Sequence, residues 1–228
     1  MGEEEMIRRN ALLILLCTAL LSIGNPLDGQ EFGARFGLAR SHAAISQEIP
    51  GATYRAMNDL AAGIFLSFDV IGGQLGLQPE VNYIVKGFDV RETDQGEEVS
   101  SKYKVSYIEV PVLFYFKPRF DWKIKPGVFV GPYVGFAQKA TEVQTAFGET
   151  EKRDLGDNLK GQDFGLLFGG SVRCSLGSLD LMLDVRYSIG FNNISKDIMD
   201  VAYEFEDNDT IKNRSVVVSL GVAFDLGK

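Results

Sequence analysis

Charged side chains recur at alternate positions within apolar segments of this sequence, and ion pairing is the chemistry that they could carry. Burying an unpaired charge is costly, so each of these residues is expected to need a partner of opposite sign. The candidates are Arg35, Glu80, Lys86, Glu109, Arg173, Asp184 and Arg186. They could line a polar path for small solutes, or form a closed network in which the charges neutralise one another.

Catalytic chemistry has few candidate residues. His42 is the only histidine, and we interpret it as a polar residue of a loop. A second histidine or a cysteine cluster would be needed for a transition-metal site or a nucleophile–histidine dyad. The acidic segments 91–98 and 203–210 could bind Ca²⁺ or a partner, but solvated loops are the simpler interpretation. The sequence therefore predicts no catalytic residue, no metal site and no cofactor.

The segment SYIEVPVLFYFKP, residues 106–118, shows the pattern that places these charges. Ile108, Val110 and Val112 alternate with Glu109 and Pro111, which indicates a β-strand with one apolar and one polar face. Proline has no backbone N–H, so we expect a bulge or a missing ladder hydrogen bond at Pro111. The same alternation predicts eight strands, over residues 32–38, 64–70, 75–86, 107–116, 122–136, 163–174, 179–191 and 215–226.

The connections between these strands alternate in length. Long polar loops are predicted over residues 41–60, 90–102, 139–161 and 192–211, and short turns over 71–74, 117–121 and 175–178. An even number of strands, with long loops at one end and short turns at the other, is typical of outer-membrane barrels.

Two kinds of closed barrel fit this pattern, and they differ in which face points inward. A soluble lipocalin-type barrel buries its apolar face, whereas a membrane barrel turns that face towards lipid. Three observations favour the membrane barrel: the length of the alternating segments, the many glycines on the polar face, and aromatic residues at both ends of the apolar face. We expect the glycines to make room in a narrow lumen for Arg35, Arg173 and Arg186. The predicted fold is thus all-β, an eight-stranded antiparallel up-and-down transmembrane β-barrel.

The first 29 residues are predicted to be a targeting segment. Arg8 and Arg9 precede the apolar run ALLILLCTALL, and small residues follow, as in a secretory signal peptide. The glutamates at positions 3–5 are unusual there, so Met6 is the expected start. We therefore predict a signal peptide at residues 1–29 and a barrel domain at 30–228. The net charge of −8 argues against a nucleic-acid partner.

In order and spacing, five segments resemble the outer-membrane β-barrel domain family typical of Bacteroidetes and their relatives, often called porin-family or PorT-like proteins. The segments are LGLQPEVNYIVKG (75–87), YIEVPVLFYFKP (107–118), PGVFVGPYVGF (126–136), DFGLLFGGSV (163–172) and LDVRYSIGFNNI (183–194). The resemblance implies an eight-stranded barrel in the bacterial outer membrane, and it implies little about activity. The last strand, residues 219–226, is similar to the signal read by the outer-membrane insertion machinery.

The expected function is that of a non-enzymatic outer-membrane protein with a scaffold, binding or adhesion role carried by its extracellular loops. For eight strands, the closed charge network is favoured over a solute path. A narrow small-solute porin is one alternative, and a soluble lipocalin-like ligand carrier is another. Outer-membrane lipid and the insertion machinery are the expected partners, and the sequence indicates no specific protein or ligand.

Overall fold

The computed structural model describes residues 30–46, 51–94, 96–119, 123–155, 161–194 and 210–226. The predicted signal peptide lies outside these residues. In the part of the chain that the structure describes, no helix is long and apolar enough to cross a membrane.

Nine β-strands account for most of the described residues. They are β1 (Glu31–Ile45), β2 (Thr53–Ile71), β3 (Leu75–Asp94), β4 (Glu97–Phe116), β5 (Ile124–Ala146), β6 (Glu149–Asp154), β7 (Gln162–Leu176), β8 (Leu179–Gly190) and β9 (Ile211–Asp225).

Eight of the nine strands close into a ring of antiparallel neighbours. The order is β4-β3-β2-β1-β9-β8-β7-β5, and a further pairing of β4 with β5 joins its two ends. β1 and β9 meet along their whole length, from Glu31↔Asp225 to Ile45↔Ile211. The predicted eight-stranded antiparallel barrel is confirmed, and β6 is an addition that pairs with β5 outside the ring.

Much of what the sequence suggested as long loops is β-structure. β3 and β4 remain paired as far as Asp94↔Glu97, and β5 and β6 as far as Ala146↔Glu149. The loop prediction was wrong for these two connections. It was also too long for the first loop, because β1 extends to Ile45 and β2 begins at Thr53, so His42 lies on a strand and not in a loop. Above the apolar band the outer face of a strand meets water, so polar residues there are as compatible with a strand as with a loop. The fourth predicted loop lies mostly outside the described residues.

The two faces of the wall differ as the membrane-barrel interpretation requires. Apolar side chains are widely exposed on the outer face, with Leu220 69% and Leu38 61% accessible. The outward apolar residues also include Phe36, Ile64, Val70, Phe114, Val128, Phe164, Val172, Leu183, Val185 and Phe224. Charged residues of the other face are buried, among them Glu80 at 2% and Lys86 at 1%. A water-facing barrel would have the opposite arrangement.

Glycines on the inner face make room for aromatic rings. A Cβ atom at Gly33 would overlap the ring of Phe65, and one at Gly169 would lie 2.8 Å from the ring of Phe129. The Arg35 guanidinium lies 4.4 Å from the centre of the Phe65 ring. The expectation that glycines accommodate the arginines directly is therefore corrected at these two positions, where the glycine admits a ring.

Pro111 lies where the pairing of β4 with β3 is interrupted, but the register of the two strands does not shift. Between Pro79↔Val112 and Asn82↔Glu109 the ladder of β3 with β4 has no paired residues, yet its register is the same on both sides. Of the two outcomes expected at Pro111, a bulge or a missing ladder hydrogen bond, the second is the one observed. Two prolines on adjacent strands explain the gap, because neither Pro79 nor Pro111 has an N–H to donate.

Candidate functional site: ion pairs inside the barrel

A central cluster of four charged residues crosses the lumen. Arg35 comes from β1, Glu80 from β3, and Asp184 and Arg186 from β8. Side chains alternate between the two faces of a strand, and all four of these residues lie on the inner face of their strands. In the eight-strand ring β3 and β8 lie opposite each other, so this cluster connects two sides of the wall.

Glu80 is the common acceptor of the central cluster. Arg35 Nη1 lies 2.9 Å from Glu80 Oε1, and Arg186 Nη1 lies 2.7 Å from Glu80 Oε2. Arg186 also pairs with Asp184 at 3.1 Å. Gln78 and Asn82, the inward neighbours on β3, donate further hydrogen bonds to the two oxygens of Glu80 at 2.7 and 2.9 Å. Two arginines and two carboxylates therefore balance in charge.

An upper cluster lies nearer the long hairpins. Lys86 Nζ on β3 lies 2.5 Å from Glu109 Oε1 on β4 and 2.9 Å from Asp163 Oδ2 on β7. Asp163 also accepts hydrogen bonds from Asn213 Nδ2 at 2.9 Å and from the Tyr133 hydroxyl at 3.2 Å. Glu109, whose charge looked out of place in an apolar strand, thus lies beside a buried ammonium group.

Arg173 belongs to a separate group at the short-turn end. Its Nη1 lies 2.5 Å from Glu31 Oε2, and Lys117 Nζ lies 3.4 Å from Glu31 Oε1. A hydrogen bond of 3.4 Å from Arg173 Nη2 to Gln78 connects this group weakly to the central cluster. The structure therefore distributes the seven candidate residues over three groups along the lumen.

Aromatic and aliphatic side chains fill the space between and above these groups. Lys86 Nζ lies 4.6 Å from the centre of the Tyr133 ring, and Arg186 Cζ lies 5.0 Å from that of Phe129. Within the extended hairpins an apolar cluster adds buried residues, including Phe88, Val90, Tyr103, Val105 and Ile211. A cavity lined in part by Arg35, Glu109 and Arg186 measures about 30 Å³, room for about one or two waters.

Several members of these groups were absent from the sequence-based site. They are Glu31, Gln78, Asn82, Tyr133 and Asn213. Alternation does turn Tyr133 inward, so that signal was available. The partner of each charge could not be predicted from one strand, because the contacts join residues on different strands that are up to 142 positions apart in sequence.

The chemistry of this arrangement is ion pairing, which balances in the central cluster and leaves two carboxylates, Glu109 and Asp163, sharing one cation, Lys86, in the upper cluster. Among the described residues, no group of three or more His, Cys, Asp or Glu side chains is placed to hold a metal ion. His42 lies on the outer face of β1 and is exposed, away from the lumen groups. Buried ion pairs fix which strands face each other, and removing one partner leaves the other charge buried and unpaired.

An apolar band on the outside, buried charges within and antiparallel closure define a transmembrane β-barrel of the bacterial outer-membrane class. The family comparison agrees: the chain belongs to the outer membrane protein beta-barrel domain family, whose sequence model matches residues 28–196. The bacterial outer membrane is accordingly its location, with lipid around the wall.

Several solved structures are similar to the chain in fold. Neisserial surface protein A shares 12% identity over 86% of this chain and 97% of its own, with a TM-score of 0.46. OprG from Pseudomonas aeruginosa shares 11% over 87% and 98%, with a TM-score of 0.46. The attachment invasion locus protein Ail of Yersinia pestis shares 13% over 87% and 100%, with a TM-score of 0.41. No curated protein matched the sequence.

Proposed function

We propose that this protein is a non-enzymatic envelope scaffold that binds a partner through its two long hairpins, β3–β4 and β5–β6. The observation that carries this proposal is the contrast between a filled lumen and hairpins that extend beyond the ring. Ion pairs and rings occupy the interior, whereas every residue of β6 is exposed. The surface available for recognition therefore lies on the hairpins.

The hairpins are well suited to present a binding surface because they support each other. β4 pairs with β3 on one side and, from Ser100↔Thr145 downwards, with β5 on the other. Arg91 bridges Glu98 across the first hairpin at 2.7 Å, and Lys139 bridges Asp154 across the second at 2.8 Å. A surface held by several strands loses less conformational entropy on binding than a free loop would.

Site-specific photo-crosslinking in intact outer membranes tests this proposal. A photoreactive residue replaces Glu98 on the first hairpin or Glu151 on the second, and the matched control replaces Leu220 on the lipid-facing wall. We expect a discrete protein adduct from at least one hairpin position and none from Leu220. Equal labelling at all three positions, or protein adducts from Leu220 alone, would contradict a hairpin binding role.

A narrow small-solute porin is the second candidate, and the cavity lined by Arg35, Glu109 and Arg186 is the observation in its favour. A porin would need that cavity to continue through both ion-pair clusters and the aromatic rings beside them. The lipocalin-like alternative requires apolar residues inside and polar ones outside, which is the reverse of the observed exposure.

A further inference from the structure

The outer face of the β1–β9 seam carries a basic patch made of Arg40, His42, Lys212 and Arg214. His42 is paired in register with Arg214, and Ala44 with Lys212. Arg40 and His42 are exposed, and Lys212 and Arg214 are partly exposed, while the alternate residues Ser41 and Asn213 are buried in the lumen. The four basic side chains therefore point out of the wall and lie close together.

This basic patch begins where the apolar band ends. On the same face, Leu38 of β1 is 61% exposed and Val218 of β9 is 46% exposed. Arg40 follows Leu38 by two residues, which corresponds to about 7 Å along a strand. Side chains at that height on a membrane barrel lie at the level of the lipid headgroups on the long-hairpin side.

Among the described residues, no side chain forms an ion pair with Arg40, Lys212 or Arg214. Arg214 Nη1 donates to two backbone carbonyls, of Gly190 at 2.7 Å and Asn213 at 2.9 Å. By contrast, Lys104 at the same end of the barrel pairs with Asp59 at 2.8 Å. Within the described part of the chain the patch therefore keeps its positive charge, on a protein whose net charge is −8.

The pKa of His42 depends on the charges that surround it. Partial burial lowers its pKa below the ordinary value, and the positive charges of Arg214 on β9 and Arg40 on β1 lower that pKa further. On the β2 side, Asn58 is opposite Arg40 and Met57 is opposite Ser41; the next residue of β2, Asp59, is opposite Ala39 and forms an ion pair with Lys104. Among the described residues, the charges beside His42 on β1 and β9 are therefore positive.

We propose that this basic patch binds the phosphate groups of a phosphorylated lipid headgroup in the outer leaflet. Guanidinium groups hold phosphate through paired N–H donors, and lysine adds a point charge. The position of the patch favours a lipid as the bound molecule, because the patch directly adjoins the lipid-facing surface formed by Leu38 and Val218. The inference is independent of the partner proposed for the hairpins.

Histidine NMR provides a direct test, since His42 is the only histidine in the chain. The protein, prepared without a histidine tag, is titrated in nanodiscs of phosphatidylcholine, in the same nanodiscs containing diphosphorylated lipid A, and in plain nanodiscs with inorganic phosphate. We expect the pKa of His42 to rise with lipid A, because bound phosphate stabilises the protonated ring. No rise with lipid A, or an equal rise with inorganic phosphate at the same concentration, would overturn the proposal.

Variants then assign the effect to the patch. The double variant R40Q/K212Q should weaken lipid A binding about 30-fold, since each basic residue near an anionic surface contributes about one kcal/mol. K123Q/K125Q removes two charges at the short-turn end and should leave the lipid-induced change at His42 intact. Both variants are first shown to be folded by their migration on unheated gels. Equal binding by wild type and R40Q/K212Q would refute the assignment.

Discussion

Glu80 accepts contacts from Arg35 and Arg186 at once, and it also accepts hydrogen bonds from Gln78 and Asn82. Replacing it with glutamine leaves two buried guanidinium groups facing a single carboxylate, that of Asp184. We expect Glu80→Gln to lower the free energy of unfolding by about 3–5 kcal/mol, the usual cost of breaking a buried pair. Urea unfolding in detergent micelles measures this change.

A matched control for that experiment is Glu98→Gln. Glu98 also pairs with an arginine, Arg91, but its side chain is 59% exposed. Exposed pairs contribute about 0–1 kcal/mol, so the control should unfold almost as wild type does. If the two variants were equally stable, the central cluster would not hold the strands together as described.

Gly169 tests how closely the inner face is packed. An added methyl group would overlap the backbone oxygen of Val185 and lie 2.8 Å from the ring of Phe129, over which Arg186 lies. We expect Gly169→Ala to cost about 1–3 kcal/mol, as overpacking in a closed interior does. Gly170→Ala is the control, because a Cβ there meets only an ordinary contact of 3.6 Å. The measurement is the urea midpoint of each variant. A larger loss of stability from Gly170→Ala than from Gly169→Ala would contradict the packing described.

The outer part of the β5–β6 hairpin extends beyond the ring, and only Gln144 and Thr145 of it pair with a strand outside the hairpin, β4. Val143 and Lys152 are paired across it, so residues 144–151 can be replaced by an Asn-Gly turn that joins these two positions. We expect this variant to keep its folded form on unheated gels, with a change in unfolding free energy below about 1 kcal/mol, because the removed strand is exposed. Failure to fold would show that the hairpin belongs to the core.

The strands illustrate what alternation can predict. Ile108, Val110 and Val112 were assigned to the lipid face and Glu109 to the lumen from spacing alone, because strand side chains alternate strictly. The extent of the hairpins was missed, since the outward residues beyond the bilayer are polar and break the amphipathic signal there. The partners of Glu80 and Lys86 could not be predicted from the sequence. They depend on the register of every strand pair that lies between the two contacting strands.

The apolar outer surface of the whole barrel predicts how much stability is lost when a charged residue is placed on it. Leu220 lies midway along the outward apolar residues of β9. We expect Leu220→Arg to destabilise the protein in lipid by about 2–4 kcal/mol, the cost of arginine near the midplane. Gln138→Arg, on the exposed outer end of β5, should cost about 0–1 kcal/mol. Unfolding in phosphatidylcholine vesicles measures both, and equal costs would be incompatible with the proposed position of the bilayer.

Side chains of the wall fill the lumen, and the binding role proposed for the hairpins depends on this closure. Planar-bilayer recording of the purified wild-type protein tests this most directly. We expect no discrete conductance steps, because Lys86, Glu109, Asp163 and the four residues of the central cluster block the lumen together with the rings beside them. Stable single-channel steps from wild type, abolished by Arg35→Gln or Arg186→Gln, would contradict the account and identify the protein as a narrow channel.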